Sequence, residues 1–490
     1  MSRIINTKYG KIKGYERRSI LEFLGIPYAK PPINELRFKR AVDIEPWDNI
    51  FDASYYGEKS LQLENGKVVG SEDCLTLNIQ TPLDGEKFPV LVWIHGGGYN
   101  TGCASETLTD GLSFVQQGIC FVSIQYRLNV LGFYDFTTYK NCENFDSNCG
   151  LSDQILALKW IHENISSVKG DAINITIMGE SAGAATVVNM LAVPSVKGMF
   201  HKAIIQSGLP NCVMTHKTAK KNIDLFIEGM GWTEDDLPKL KTMDPAEFQK
   251  GNTYVAHKHQ YRNPGIFLPG PIQDDLLPVR PLDAIKNGSA KGVKVLIGTN
   301  LHEATMFVRP ENTCFPNSWE MVETMFEKND KKDFLPQIRE YYEKFGDSTF
   351  FEFGTDYAFQ MPSIKLAENQ KLHGDVYMYR FEYVSKMGKE SGMGACHTFE
   401  IPLVFKDKDF HFTKLIYGKD SPEDVKRISK EMNQAWKNFI LFDKPDGDKW
   451  PKFTDAGSSM IRIFDKKTET KILDRSKLME VWKDMRPHEN

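Results

Sequence analysis

One short segment limits what this chain can fold into more than any other: Ile177-Met178-Gly179-Glu180-Ser181-Ala182-Gly183-Ala184-Ala185-Thr186-Val187-Val188. The β-rich run Asn174-Ile175-Thr176-Ile177-Met178 leads into five residues of the form G-x-S-x-G, and small apolar residues follow. The pattern reads as a buried strand, a sharp turn and a helix. Glycines on either side leave room for the turn, and the turn projects the hydroxyl. A serine hydroxyl is a weak nucleophile and needs that exposure beside a base. The helix start adds free N–H groups and partial positive charge where an oxyanion would form. G-x-S-x-G alone arises by chance, but between a strand and a helix it makes Ser181 a candidate nucleophile.

The rest of the chain supports a sheet for that turn to sit on. Phe88–Ile94, Ile119–Tyr126, Ala203–Ile205, Val293–Ile297 and Val376–Val384 are further apolar or β-rich runs. Runs without polar alternation predict strands buried on both faces. Leu151, Ile155, Leu158, Ile161 and Ile165 fall at helical spacing and predict one buried stripe. Ser421-Pro422-Glu423-Asp424 reads as a helix start, with Val425, Ile428, Met432, Trp436 and Phe439 as its apolar face. Strand–helix alternation implies an α/β architecture: a mostly parallel central sheet flanked by helices. Residues at about 213–290 and 311–372 break the alternation and look helical. They read as insertions on one domain spanning 1–490, seated over the carboxyl ends of the strands, where ligands bind in such sheets. Phe267, Phe307 and Tyr357 are candidates to line a pocket there.

A second glycine-rich turn, His95-Gly96-Gly97-Gly98-Tyr99, directly follows the strand 88–94. Backbone N–H groups turned inward there, with that of Ala182, would meet a tetrahedral oxyanion. No Lys-Ser/Thr follows, so a phosphate-binding loop of the Walker type is excluded; His95 reads as structural. If acid and base follow the serine in chain order, Glu303 lies beyond the strand 293–297 and His397 lies in a glycine-containing loop beyond the strand 376–384. Spacing alone selects neither from among 65 acidic residues and eleven histidines. His257 and His259 stand two apart with no evident third ligand for a metal.

Lys and Arg number 61 and Asp and Glu 65, a formal net charge of −4, which argues against a dedicated nucleic-acid binder. No apolar run reaches the roughly 18 residues of a membrane span. The N-terminus lacks an apolar segment of the secretory kind, so a cytoplasmic protein is expected. The eight cysteines are scattered without a C-x-x-C pair, so neither a zinc site nor a disulfide framework is expected. Cys142 and Cys149 flank a short polar loop and are the one pair considered for a bridge.

Taken together these segments resemble the type B carboxylesterases, the family that also holds the cholinesterases and bacterial para-nitrobenzyl esterases. Phe23–Pro32 with Leu36-Arg37-Phe38 is similar to the family's N-terminal signature, and Glu72-Asp73-Cys74-Leu75-Thr76-Leu77-Asn78 to its E-D-C-L-x-L-N motif. Gly150-Leu151-Ser152-Asp153-Gln154 matches the helix before the nucleophile, and Gly179–Gly183 the G-E-S-A-G turn. The resemblance implies an α/β-hydrolase fold, a Ser181–Glu303–His397 triad, and Gly97, Gly98 and Ala182 as oxyanion donors. It also implies a serine carboxylesterase working through an acyl-serine, with no cofactor or metal. Apolar residues in the insertions, and no amphipathic lid rich in Leu and Phe, lead us to expect esters of short to medium chain. The expected partner is a small-molecule ester, with no nucleic acid or membrane; monomer and homodimer are both open. Lipase, amidase and thioesterase run through the same acyl-enzyme and remain alternatives. A non-catalytic adhesion protein of the same ancestry would lack Ser181.

The chain departs from the family at identifiable places. No cysteine precedes Cys74 and none lies between 213 and 313, so two disulfides of secreted relatives cannot form. Asn34 stands where a glycine is usual, and Phe267–Asp275 departs from the P-V-x-D-G form, which bears on substrate preference.

Overall fold

The computed structural model describes residues 2–262, 264–265, 269–308, 315–406, 411–454, 459–473 and 476–482, with backbone alone at 260–262 and 476–477. Its centre is a thirteen-stranded sheet. Twelve of the strands form one path: β1 (Ser2–Thr7), β2 (Gly10–Arg17), β3 (Ile20–Pro27), β4 (Thr76–Pro82), β5 (Phe88–Ile94), β6 (Cys120–Ile124), β7 (Gly170–Glu180), β8 (Lys202–Gln206), β9 (Lys294–Asn300), β10 (Val376–Phe381), β11 (Met460–Phe464) and β12 (Glu469–Ile472). Their spatial order is β1-β2-β3-β4-β6-β5-β7-β8-β9-β10-β11-β12. From β6 to β11 every neighbour is parallel. The edges are antiparallel: β1 to β4 with β6 on one side, β11 with β12 on the other.

The six runs expected from the sequence are β5 to β10. Val90, Val92 and Ile94 face one hydrophobic core while Leu91 and Trp93 face the other, which is why that strand reads as unbroken apolar sequence. The helix Cys149–Asn164 differs from the expected single stripe. Leu151, Ser152, Asp153, Gln154, Ala157 and Trp160 are all buried, so it is covered nearly all round. The reason is polar. Asp153 pairs with Arg127 at 2.7 Å with both side chains buried, and Ser152 Oγ accepts the Ala41 N–H at 2.9 Å. The helix Pro422–Phe442 starts as expected, with the Ser421 side chain accepting from the Asp424 N–H.

The stretch 213–290 contains the helices His216–Met230 and Phe248–Arg262; the stretch 311–372 contains Trp319–Lys328, Leu335–Tyr342 and Met361–Gln370 among others. Asn34 adopts φ 52°, a left-handed conformation that glycine favours and asparagine tolerates, so the departure from the family's glycine keeps the turn. Arg37 grips both carboxylate oxygens of Glu72 at 2.6 Å, tying the N-terminal signature to the E-D-C-L segment. The seven described cysteines are free, Cys142 and Cys149 included; Cys314 lies outside the described residues.

Candidate active site

Ser181 joins the end of β7 to the helix Ala182–Met190 with φ 55° and ψ −124°. A residue with a side chain held there costs about 1–3 kcal/mol, and the surroundings must impose it. They do so at both glycines. A Cβ on Gly183 would lie 2.0 Å from the Ile94 carbonyl oxygen, and one on Gly179 would lie 2.3 Å from Gly183 itself. The helix therefore presses onto the end of β5 as no larger residue would allow. The Ser181 N–H is anchored to the Gln206 carbonyl on β8 at 3.0 Å.

Beside this turn runs the loop after β5. Gly97 and Gly98 take φ 100° and 61°, and both are exposed. The Gly97 carbonyl accepts the N–H groups of Asn100 and Thr101, each at 3.0 Å, which closes the loop. A Cβ on Gly96 would come within 3.2 Å of Ser181 Cβ, so the loop lies against the serine. His95 is stacked on Tyr126 with ring centroids 4.4 Å apart, and its Nδ1 lies 2.9 Å from the Gly96 carbonyl oxygen. Burial pushes its imidazole down to about 4, so it stays neutral and shapes the turn.

Glu303 and His397 meet from two separate loops. His397 Nδ1 donates to Glu303 Oε2 at 2.6 Å, and both side chains are buried. The other ring nitrogen, Nε2, lies 3.1 Å from Glu180 Oε1. That is ion-pair distance, and neither atom has a hydrogen-bond partner among the described residues. Burial lowers the His397 pKa, but Glu180 and Glu303 outweigh it and lift it to about 9. Burial pushes Glu180 up to about 8. Burial, with the Glu303 charge behind it, pushes Glu400 up to about 7. Phe307 and Phe359 flank the His397 ring, with centroids 5.0 and 5.1 Å away.

Of the residues expected from sequence, Glu303 and His397 are in contact, and Ser181 follows Glu180, which faces His397. Ala182 follows the serine in sequence, and Gly97 and Gly98 lie in the loop whose Gly96 faces it. Phe267 lies outside the described residues. Phe307 touches His397, and Tyr357 is buried with its hydroxyl donating to the Gly265 carbonyl at 2.7 Å. Phe359, within the π-turn Asp356–Gln360, also reaches the His397 ring. Glu180 lies inside the G-E-S-A-G turn, but sequence alone assigns it no role; it assigns none to Glu400 or Asn300 either, since nothing in their spacing sets them apart from surface polar residues. Among the described residues, His257 and His259 join no cluster of three metal-ligating side chains. No helix among them is long and apolar enough to cross a membrane.

Comparisons with known proteins identify the family. The model described as "Carboxylesterase family" matches residues 1–482. Para-nitrobenzyl esterase of Bacillus subtilis (strain 168) is 32% identical over 462 residues, covering 92% of each chain. Phenmedipham hydrolase of Pseudarthrobacter oxydans is 28% identical, covering 95% of this chain and 96% of that one. A solved PNB esterase superposes with a TM-score of 0.86 at 31% identity, over 98% of this chain and 100% of the other.

Proposed function

The chain belongs to the carboxylesterase family, has its α/β-hydrolase fold and is a carboxylic ester hydrolase; we propose that it cleaves short- to medium-chain esters through an acyl-Ser181 intermediate. In this reading His397 Nε2 takes the Ser181 hydroxyl proton as Oγ bonds to the ester carbonyl carbon. The carbonyl oxygen becomes an oxyanion, held by the N–H groups of Gly97, Gly98 and Ala182; each such donor contributes about 3 kcal/mol to the transition state. As the tetrahedral species collapses, the C–O bond to the alcohol breaks and His397 returns the proton to the departing oxygen. Water then repeats the sequence on the acyl-enzyme, releasing the acid and restoring Ser181. Glu303 keeps the Nδ1–H tautomer in place and stabilises the imidazolium.

The observation that carries this reading is the buried 2.6 Å bond between Glu303 and His397, which leaves Nε2 without a hydrogen-bond partner among the described residues. The rings of Phe307 and Phe359 beside His397 support an apolar, bounded acyl site, which favours uncharged acyl groups of limited length. The free thiols support a reducing, cytoplasmic setting. An organophosphate tests the mechanism: peptide mapping by mass spectrometry should place one covalent adduct on Ser181. Inhibition without that adduct, or an adduct elsewhere, contradicts it.

A further inference from the structure

Glu303 and His397 stand on loops after different strands, so something must hold those loops in register. Asn300, the last residue of β9, bonds to both sides. Its backbone N–H donates to Glu303 Oε1 at 2.6 Å. Its side-chain Nδ2 donates to the carbonyl of Cys396, the residue before His397, at 2.6 Å, and to Glu400 Oε2 at 2.6 Å. The side chain is fully buried. Its Oδ1 has no partner, yet the opposite amide orientation would set that oxygen against two acceptors. The two acceptors therefore fix the amide. Glu400 is held from behind: Gln206 Nε2 donates to its Oε1 at 3.0 Å, and Trp436 Nε1 donates to Gln206 Oε1 at 3.0 Å. The frame thus runs from β8 and the helix Pro422–Phe442 to the imidazole loop.

The two loops also bond directly. The His302 N–H donates to the Ala395 carbonyl, and the Ala395 N–H donates back to the His302 side-chain Nδ1, each at 3.0 Å. That pairing sets the backbones side by side. Asn300 adds a bond to the Glu303 carboxylate and another to the peptide that carries His397.

We propose that Asn300 is a positioning residue of the esterase: without touching substrate, it holds Glu303 and the His397 loop at the separation their hydrogen bond needs. The proposal rests on the reading of Ser181, Glu303 and His397 given above. A misplacement of about 1 Å in such a pair costs on the order of 10²-fold in rate.

The test compares the wild-type chain with Asn300→Ala, Asn300→Leu and Asn300→Ser, using para-nitrophenyl butyrate across pH. Alanine and leucine remove the donor, and leucine keeps most of the volume. Both should lower kcat by about 10²-fold with KM within about threefold. The acid limb of kcat/KM should also move to lower pH: both variants keep the backbone N–H on Glu303 but lose the side-chain bond to the Cys396 carbonyl, so the His397 loop drifts from the Glu303 charge that raises its pKa. Serine retains one donor and should recover part of kcat. A folded alanine or leucine variant with kcat within threefold of wild type, or with an unmoved acid limb, overturns the proposal. So does a failure of both variants to fold, which would mark Asn300 as a structural residue only. His397→Ala separates the two levels: if it hydrolyses the ester as wild type does, the triad reading itself has failed and takes the role of Asn300 with it.

Discussion

Glu180 Oε1 stands 3.1 Å from His397 Nε2, on the opposite edge of the ring from the nitrogen that Glu303 holds. The imidazole therefore lies between two buried carboxyl groups. Its pKa is lifted to about 9 against the pull of burial, and a base must be neutral to accept a proton from serine. The acid limb of kcat/KM should accordingly lie above the ordinary histidine value of about 6.5, with activity still rising at mild alkalinity. Glu180→Gln removes one of the charges that favour the imidazolium. Its acid limb should move to lower pH by about 1, measurable in a pH series on para-nitrophenyl acetate. A limb that stays in place or moves upward would show that Glu180 does not act on His397.

The second prediction concerns the turn. Gly183→Ala places a methyl 2.0 Å from the Ile94 carbonyl, which backbone must yield to, whereas a Cβ on Gly98 meets nothing within 4 Å. Gly98→Ala pays only for a side chain at positive φ, roughly 1–2 kcal/mol. Gly183→Ala should cost more than that, through overpacking and displacement of the helix. Thermal unfolding of both variants decides: Gly183→Ala melting no lower than Gly98→Ala would mean that the helix is not pressed onto β5 as described.

Substrate length is the third. The rings of Phe307, Phe315 and Phe359 pack on one another beside His397. An apolar site gains about 0.8 kcal/mol per buried methylene until it is full. Turnover of para-nitrophenyl esters from two to sixteen carbons should therefore peak at short to medium chains and fall beyond. A maximum at the longest chains, with activation at an oil–water interface, would indicate a lipase instead.

How much of this was legible in the sequence depends on what each residue is buried by. The central strands β5 to β10 could be read because most bury both faces, so nearly every side chain is apolar. The edge strands could not: β2 buries only Ile12 and Gly14 of its eight residues, too few for a signal. The strand–turn–helix around Ser181 was readable because its glycines are dictated by contacts at 2.0 and 2.3 Å. Glu303 and His397 became identifiable only through the family resemblance, since their 2.6 Å contact spans 94 residues of chain. Glu180, Glu400 and Asn300 are polar groups buried by tertiary structure alone, and Phe359 lies in a π-turn that no 3.6-residue period predicts.

The most direct measurement on the central claim is the turnover of Ser181→Ala beside its melting temperature. Alanine removes a single oxygen from Ser181. Stability should change by less than about 1 kcal/mol. Ester hydrolysis should fall on the order of 10⁴-fold or more, since nothing else in the site can form the acyl bond. A well-folded Ser181→Ala protein that retains activity within tenfold of wild type would contradict the account.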